Sequence, residues 1–286
     1  RRLAYFNIQQ VGGTRASIGK AYEQVLDMAR AHGRDERRPA SLKHLSVALQ
    51  CGGSDGYSGI TANPALGHAA DLIVRHGGSA TLSETPEIYG AEHLLLDRAV
   101  DVEVAHKLLA RIAWWKHYTE INGAELNNNP SPGNKAGGLS TILEKSLGAV
   151  AKGGASSLND VLEYAEPLKV PGFNFMDSPG YDPASVTGQI ASGATLVCFT
   201  TGRGSVSGFK PAPCLKLATN TAMYETMHED MDINCGAIID GEMSVEAMGE
   251  AIFEKILAVA SGEASASESL GYGSNEFVPW MVGAIT

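Results

Sequence analysis

The sequence has little of what marks several functional classes. Only four of its 286 residues are cysteine, at positions 51, 198, 214 and 235, and no two are spaced as CxxC. A chain of this length with so few cysteines is not a disulfide scaffold, and it matches no standard zinc pattern. A cytoplasmic location, with its thiols reduced, fits. Positive charge is short: 22 Lys and Arg face 32 Asp and Glu, for a net charge of −10. That excludes the basic footprint of a nucleic-acid-binding protein, although a few cations can still converge on an anionic ligand. No apolar run approaches the ~18 residues of a membrane span, so no membrane partner is expected, and no signal peptide is recognisable. The P-loop spacing GxxxxGK[ST] is missing. The chain opens on Arg1-Arg2 without a methionine, which a pro-segment, an omitted stretch or proteolysis would each explain.

What is there is glycine: 33 residues, above the usual ~7%. The excess falls in a few loops, the densest being Cys51-Gly52-Gly53-Ser54-Asp55-Gly56-Tyr57-Ser58-Gly59. An apolar run of strand character, 44–50, precedes it. Asn63-Pro64, a cap and a first-turn proline, follows it. Strand, glycine-rich loop and helix N-terminus in series is a ligand-binding arrangement in open α/β folds, because backbone N–H groups and the helix dipole favour an anion. A plain tight turn is the alternative.

The rest of the chain reads as repeated βα units. Strands are expected at 3–8, 80–83, 172–176, 195–199 and 215–218. Helices are expected at 18–31, 64–76, 101–118, 139–150, 184–192, 221–227 and 245–259, with another starting at Pro86. Residues 126–138 read as a long irregular loop, and long loops in compact domains are often functional. Phe277–Trp280 is expected to dock the tail. The fold class is α/β, with two successive βα-repeat halves, mainly parallel sheets and flanking helices. Lys152–Ser157 suggests a boundary, giving halves 1–153 and 154–286.

Several strands end in polar turns, at 51–59, 84–87, 177–182 and 200–205. In a parallel sheet such ends meet on one edge. Thr200, Thr201, Arg203 and Ser205 form a donor-rich loop suited to a carboxylate or phosphate, unless Arg203 merely braces the loop. Lys135 could bind an anion or act as a base, and Lys145 could do so or form a solvated pair with Glu144. His228, with Asp230 or Asp232, could bind a transition metal, or the run could be a solvated acidic loop. Glu84 and Glu87 are metal-ligand or acid/base candidates, or helix-capping residues.

Together these residues resemble the altronate/galactarate dehydratase family, which also includes the large subunit of sulfolactate sulfo-lyase. The resemblance is carried by Cys51–Gly59 with Thr61–Pro64, Glu84–Glu92, Asn128–Lys135 through Glu144–Gly148, Asp177–Gly188, Phe199–Gly204 and Glu229–Asn234. It covers nearly the whole chain. The Gly180–Pro183 turn and the Asp230–Asp232 run look closer to the altronate type than to the galactarate type.

The resemblance implies elimination from a small-molecule sugar acid: a proton leaves the carbon beside a carboxylate, a group leaves the next carbon, and a 2-keto acid results. It implies Fe2+ or Mn2+ as cofactor. Ser54, Asp55, Thr200, Thr201, Arg203 and Ser205 become substrate-binding candidates; Glu84, Asp177 and Asp230 metal candidates; Lys135, Lys145, His228 and Glu87 catalytic ones. An elimination needs no nucleophile, so Cys51 is not expected to act as one. Family members also carry a small N-terminal domain or separate small subunit, and a Cys- and His-containing segment ahead of Leu3. Both are expected to lie outside this sequence, so the chain by itself is expected to have reduced or no activity. A sulfolactate sulfo-lyase subunit, an inactive sugar-acid-binding fragment and a homo-oligomer remain open alternatives.

Overall fold

The computed structural model describes residues 3–126, 129–281 and 283–286. Asn127, Asn128 and the opening Arg1-Arg2 pair lie outside the described residues. The chain divides into two compact units, Arg1–Ala40 and Ser41–Thr286.

The first unit holds two helices, α1 (Ile8–Val11) and α2 (Thr14–His32). The strand expected at 3–8 does not form: residues 3–7 are irregular and Ile8 opens α1. Leu3 and Tyr5 are both 87% exposed. A strand needs a hydrogen-bonding neighbour, and none of the described residues of this unit is in a strand.

The second unit contains β1 (Ser46–Cys51), α3 (Ala62–Arg75), β2 (Ser79–Ser83), α4 (His93–Leu96), α5 (Val102–Ile121), α6 (Pro132–Ala136) and α7 (Ile142–Ala151). It continues through β3 (Leu158–Leu162), β4 (Gly172–Met176), α8 (Asp182–Ser192), β5 (Leu196–Thr201), β6 (Cys214–Ala218), α9 (Thr221–Thr226), β7 (Ile233–Asn234), α10 (Val245–Ala260) and α11 (Ala266–Ser269). The seven strands make one sheet in the order β3-β4-β2-β1-β5-β6-β7, and every pairing is parallel.

The division expected at 153/154 falls between α7 and β3, inside this single sheet. β1 and β2 precede it in sequence, yet β4 and β5, which follow it, flank them on either side. Strand pairing, not chain order, joins the two stretches. β3 and β7 were not anticipated, because each is an edge strand with a half-polar sequence, Leu-Asn-Asp-Val-Leu and Ile-Asn. The loop expected at 126–138 contains α6, closed by a capping box between Ser131 and Asn134.

The sheet is buried on both faces, which is why its central strands read as near-continuous apolar runs rather than as alternation. Val47 and Leu49 of β1 face the larger core, with Leu66 and Ile73 of α3, Leu108 of α5, and Ile252 and Ile256 of α10. Ala48, Val197 and Phe199 face a smaller core with Val186 of α8 and Phe209. Truncating a fully buried residue such as Leu66 or Ile252 to Ala is expected to cost about 2–5 kcal/mol. Among the described residues no helix is long and apolar enough to cross a membrane.

Candidate functional site

With all strands parallel, the polar turns after β1, β2, β4 and β5 open on one edge. The order reverses at β1: the chain runs from β1 to β2 on one side and later to β5 on the other. Such a switch point leaves a crevice at the carboxyl ends of the strands. A cavity of about 290 Å³ lies there, lined by Cys51, Gly52, Gly53, Glu87, Asn129, Ser131, Gly133, Asn134, Lys145, Gly180, Tyr181, Asp182, Arg203 and Thr286.

Each side chain is placed by a local device. β1 ends at Cys51, and the next residue must be glycine: a Cβ on Gly52 would lie 2.1 Å from Asp182 Oδ2 and 2.5 Å from Phe199 Cζ. After β2 the chain turns through Glu84, a non-glycine residue in the left-handed region (φ 73, ψ 75), into a 3-10 turn over Thr85–Ile88. Residues three apart eclipse in such a turn, so Glu84 and Glu87 share a face. Lys145 in α7 and Lys152, the residue at its C-cap, are seven residues apart, about two turns, and so project from one side of it.

The result is a buried ionisable cluster. Lys145 Nζ donates to Glu87 Oε1 at 2.7 Å and to Asn129 Oδ1 at 2.8 Å. Asn129 Nδ2 donates to the same Glu87 oxygen at 3.1 Å. Lys152 Nζ donates to Cys51 Sγ at 2.7 Å, and Cys51 Sγ lies 3.7 Å from Glu87 Oε2. Asp182 accepts from Gln50 Nε2 at 3.5 Å, while Ser185 Oγ donates to Gln50 Oε1 at 3.2 Å. Glu84 is 1% exposed, and neither of its carboxylate oxygens has a hydrogen-bond partner.

The cluster divides into charged and proton-holding members. Burial, then repulsion from Glu87 and Asp182, pushes the Glu84 carboxyl well above the ordinary range. Burial and the Glu87 charge raise Asp182 to about 7. Burial, partly offset by Lys152, raises the Cys51 thiol to about 11. For Glu87 burial also works upward, but Lys145 and Lys152 prevail and hold it below its usual value. Burial opposes the charge on both lysines, yet Glu87 and Cys51 beside Lys145, and Cys51 and Glu84 beside Lys152, keep them above the usual lysine value.

A divalent cation fits here. Cys51 Sγ and one carboxylate oxygen from each of Glu84 and Glu87 lie within 4.8 Å of one another, the one such group among the described residues. The two orphaned Glu84 oxygens are what a bound cation would satisfy, since buried polar atoms otherwise find partners.

Of the residues expected from the sequence, Glu84, Glu87 and Lys145 come together, and exposed Arg203 stands at the cavity rim. Arg203 also borders a second, shallower hollow of about 410 Å³ with Asp55, Gly202, Met223 and Met227. The others have different positions. Asp177 accepts from Thr85 Oγ1 and Trp115 Nε1 at 2.5 and 2.8 Å, which ties β4 to α5. Asp230 lies 3.9 Å from the ammonium of Lys216, a buried residue of β6. Lys135 and His228 are exposed. Asp55 accepts from Ser58, Thr219 and Asn220 side chains and the Tyr57 N–H. Thr200 donates to Asn63 Oδ1 at 2.6 Å, and Asn63 is not the cap its sequence suggests, because α3 begins at Ala62 with Thr61 at the N-cap position. Thr201 accepts from the Gly204 N–H, Ser205 from the Ser207 N–H, and the Ser54 carbonyl from Asn134.

Lys152, Cys51, Asp182 and Asn129 belong to the cluster and were not anticipated in it. Lys152 reads as part of a Gly/Ser boundary, and the signal for it was the i, i+7 spacing from Lys145. Asp182 lies in the polar turn 177–182 expected at a strand end, but nothing local singles it out there, because its neighbours Gln50 and Gly52 come from the end of β1 and the turn after it, more than a hundred residues earlier.

Fold and site thus define a doubly wound parallel α/β protein with a buried, metal-competent acid–base pocket at the carboxyl edge of its sheet. The family described as "D-galactarate/Altronate dehydratase, C-terminal" matches residues 42–285, nearly the whole second compact unit. The chain belongs to this family. It is 41% identical to the galactarate dehydratase (L-threo-forming) of Escherichia coli K12 over 84% of this chain and 47% of that protein. It is 42% identical to the altronate dehydratase of Bacillus subtilis 168 over 80% and 46%. These two values do not place the chain nearer to the altronate type. The (2R)-sulfolactate sulfo-lyase subunit beta of Chromohalobacter salexigens is 32% identical over 96% of this chain and 70% of its own length. The chain spans about half the length of the curated dehydratases it matches.

Proposed function

We propose that this chain carries the catalytic domain of a metal-dependent hydro-lyase. The enzyme would dehydrate a sugar acid, an altronate-like aldonate or a galactarate-like aldarate, to a 2-keto-3-deoxy acid. The observation that carries this reading is the buried cluster of Cys51, Glu84, Glu87, Lys145, Lys152 and Asp182 beside the 290 Å³ cavity. Cys51, Glu84 and Glu87 would hold the cation, with Fe2+ or Mn2+ as the candidates. A divalent ion bound there supplies Lewis acidity, which makes the proton beside a carboxylate easier to remove.

The chain's own residues divide the remaining work. Arg203 at the rim pairs with the substrate carboxylate, where a guanidinium binds bidentately. Asp182, raised to about 7 by burial and by Glu87, is matched to proton transfer near neutral pH and takes the proton from C2. The released electron pair forms the C2–C3 double bond. Hydroxide leaves C3 and gains a proton from Lys145, so that water departs. Lys145 is an ammonium held by Glu87, so it is placed as a donor rather than as the base. The resulting enol tautomerises to the ketone. Asn129 and Asn134 line the cavity wall, and their amides brace it, Asn129 between Glu87 and Lys145 and Asn134 between Ser54 and Ser131.

A second reading, sulfite release from sulfolactate, is favoured by the 96% coverage of this chain in the match to the sulfo-lyase subunit. In either reading a small N-terminal domain or separate subunit is the proposed partner, and the cytoplasm the proposed location, in keeping with four free, buried cysteines. The test is anaerobic assay with Fe2+ or Mn2+ on altronate, galactarate and sulfolactate, with the chain alone and with such a partner supplied. Keto-acid formation from a sugar acid supports the first reading, and sulfite release the second. No product from any of them in the presence of the partner would sink both.

A further inference from the structure

We propose that Cys51 binds the metal as a thiolate, making this a sulfur–dicarboxylate centre selective for borderline transition ions over Mg2+ and Ca2+. The inference rests on the reading that the cluster holds a metal, and it adds which atom type defines it. Three observations carry it.

The first is placement. Cys51 ends a fully buried central strand, and its Sγ is within 4.8 Å of oxygens of both Glu84 and Glu87. The second is Glu84, with two orphaned oxygens at 1% exposure on a backbone in the left-handed region. Residues held in strained conformations cluster at functional sites, and a buried carboxylate without a donor is costly unless a cation arrives.

The third observation is the ammonium beside the sulfur. Lys152, fully buried and donating to Sγ at 2.7 Å, stabilises the thiolate and is a positioning residue, not a ligand. Binding is an exchange without redox: the metal–sulfur bond forms as the S–H bond breaks, and the proton leaves to solvent. Thiolate favours Fe2+, Co2+ and Zn2+, whereas Mg2+ and Ca2+ favour oxygen.

The experiment is anaerobic titration of the 286-residue chain with Co2+ alone, followed by absorption spectroscopy, with bound metal counted by equilibrium dialysis. The expected result is one bound cobalt with a near-ultraviolet sulfur-to-cobalt charge-transfer band. Cys51→Ser should lose that band, while Asp177→Asn and Asp230→Asn should keep it. Excess Mg2+ should not displace the ion. One bound cobalt with visible ligand-field bands and no charge-transfer band would overturn the thiolate inference and leave the metal reading standing. A band unchanged in Cys51→Ser would overturn it too. No bound cobalt would overturn the metal reading itself, and this inference with it. The wild-type spectrum decides even if Cys51→Ser does not fold, and Glu84→Gln, which removes another ligand while sparing the sulfur, gives a second variant: weakened binding with the band retained supports the inference.

Discussion

Asp55 and Glu84 are both buried carboxylates in the turn that follows a central strand, 4% and 1% exposed. Their surroundings are opposite. Asp55 takes four donors, from Ser58, Tyr57, Thr219 and Asn220, and its carboxylate fills space beside Gly202, where a Cβ would lie 2.1 Å away. It ties the β1 turn to the β6 turn. Glu84 takes no donor and stands among Glu87, Asp182, Cys51 and Lys152. A satisfied carboxylate holds the fold together; a buried carboxyl without a partner costs stability, on the order of 1–3 kcal/mol, and is a group suited to a ligand. Both are site candidates by sequence, and neighbours alone separate them.

The sharpest test of this contrast is Glu84→Gln against Asp55→Ala. Glu84→Gln should lower kcat/KM more than about 100-fold, beyond the loss of an outer-shell partner. Its melting temperature should hold, because the amide replaces a buried carboxyl that already favours its protonated, neutral form and has no partner to lose. Thermal melts and steady-state kinetics on the same preparation check both, and a destabilised, active Glu84→Gln would break the comparison. Asp182→Asn should lower kcat by about 10²–10⁴-fold if it takes the proton. In wild type, kcat/KM should then fall as pH drops through about 7. The stability sign is opposite. The Asp182 pKa is raised from 3.8 to about 7, so the native state holds the extra proton and its stability falls as pH rises across that window. Chemical denaturation of the metal-free chain should show that slope, and Asp182→Asn should flatten it.

Asp55→Ala should cost roughly 3 kcal/mol in unfolding free energy, since it strands buried donors from two turns. Denaturant midpoints measure it, and a loss of activity at unchanged stability would move Asp55 to the chemical side. Arg203→Ala should raise KM by an amount equivalent to about 1.5–3 kcal/mol of lost ion-paired hydrogen bonding, with little change in kcat; unchanged kinetics would remove Arg203 from the site. Smallest of all, Lys135→Ala and His228→Ala, at exposed positions, should shift stability by no more than about 0.5 kcal/mol and leave kcat/KM unchanged.

Much of the architecture was legible because parallel strands buried on both faces write themselves as short apolar runs bounded by glycine. β4 falls at the residues expected, and β1, β2, β5 and β6 within one or two. The edge strands β3 and β7 carry no such run, and the apolar stretch at 3–8 pairs with no strand among the described residues. Within the site, Glu84, Glu87 and Arg203 were legible as polar residues at strand ends. Asp177 looked equivalent to Glu84 from its sequence; the indole of Trp115, 62 residues away, makes it a structural acceptor instead.

The Cys51–Gly59 loop, its strand and the following helix are properties of local sequence: burial periodicity, glycine and chain-turning residues fix them within a few residues of themselves. The pocket is not such a property. Lys145 and Lys152 reach Glu87 and Cys51 across sequence separations of 58 and 101 residues, and Asp182 reaches Gln50 across 132. Only the sheet order, which sets β1 between β2 and β5, brings those groups within a few ångströms. At that range in a dry interior, charge and desolvation decide which groups hold protons and which could take a metal.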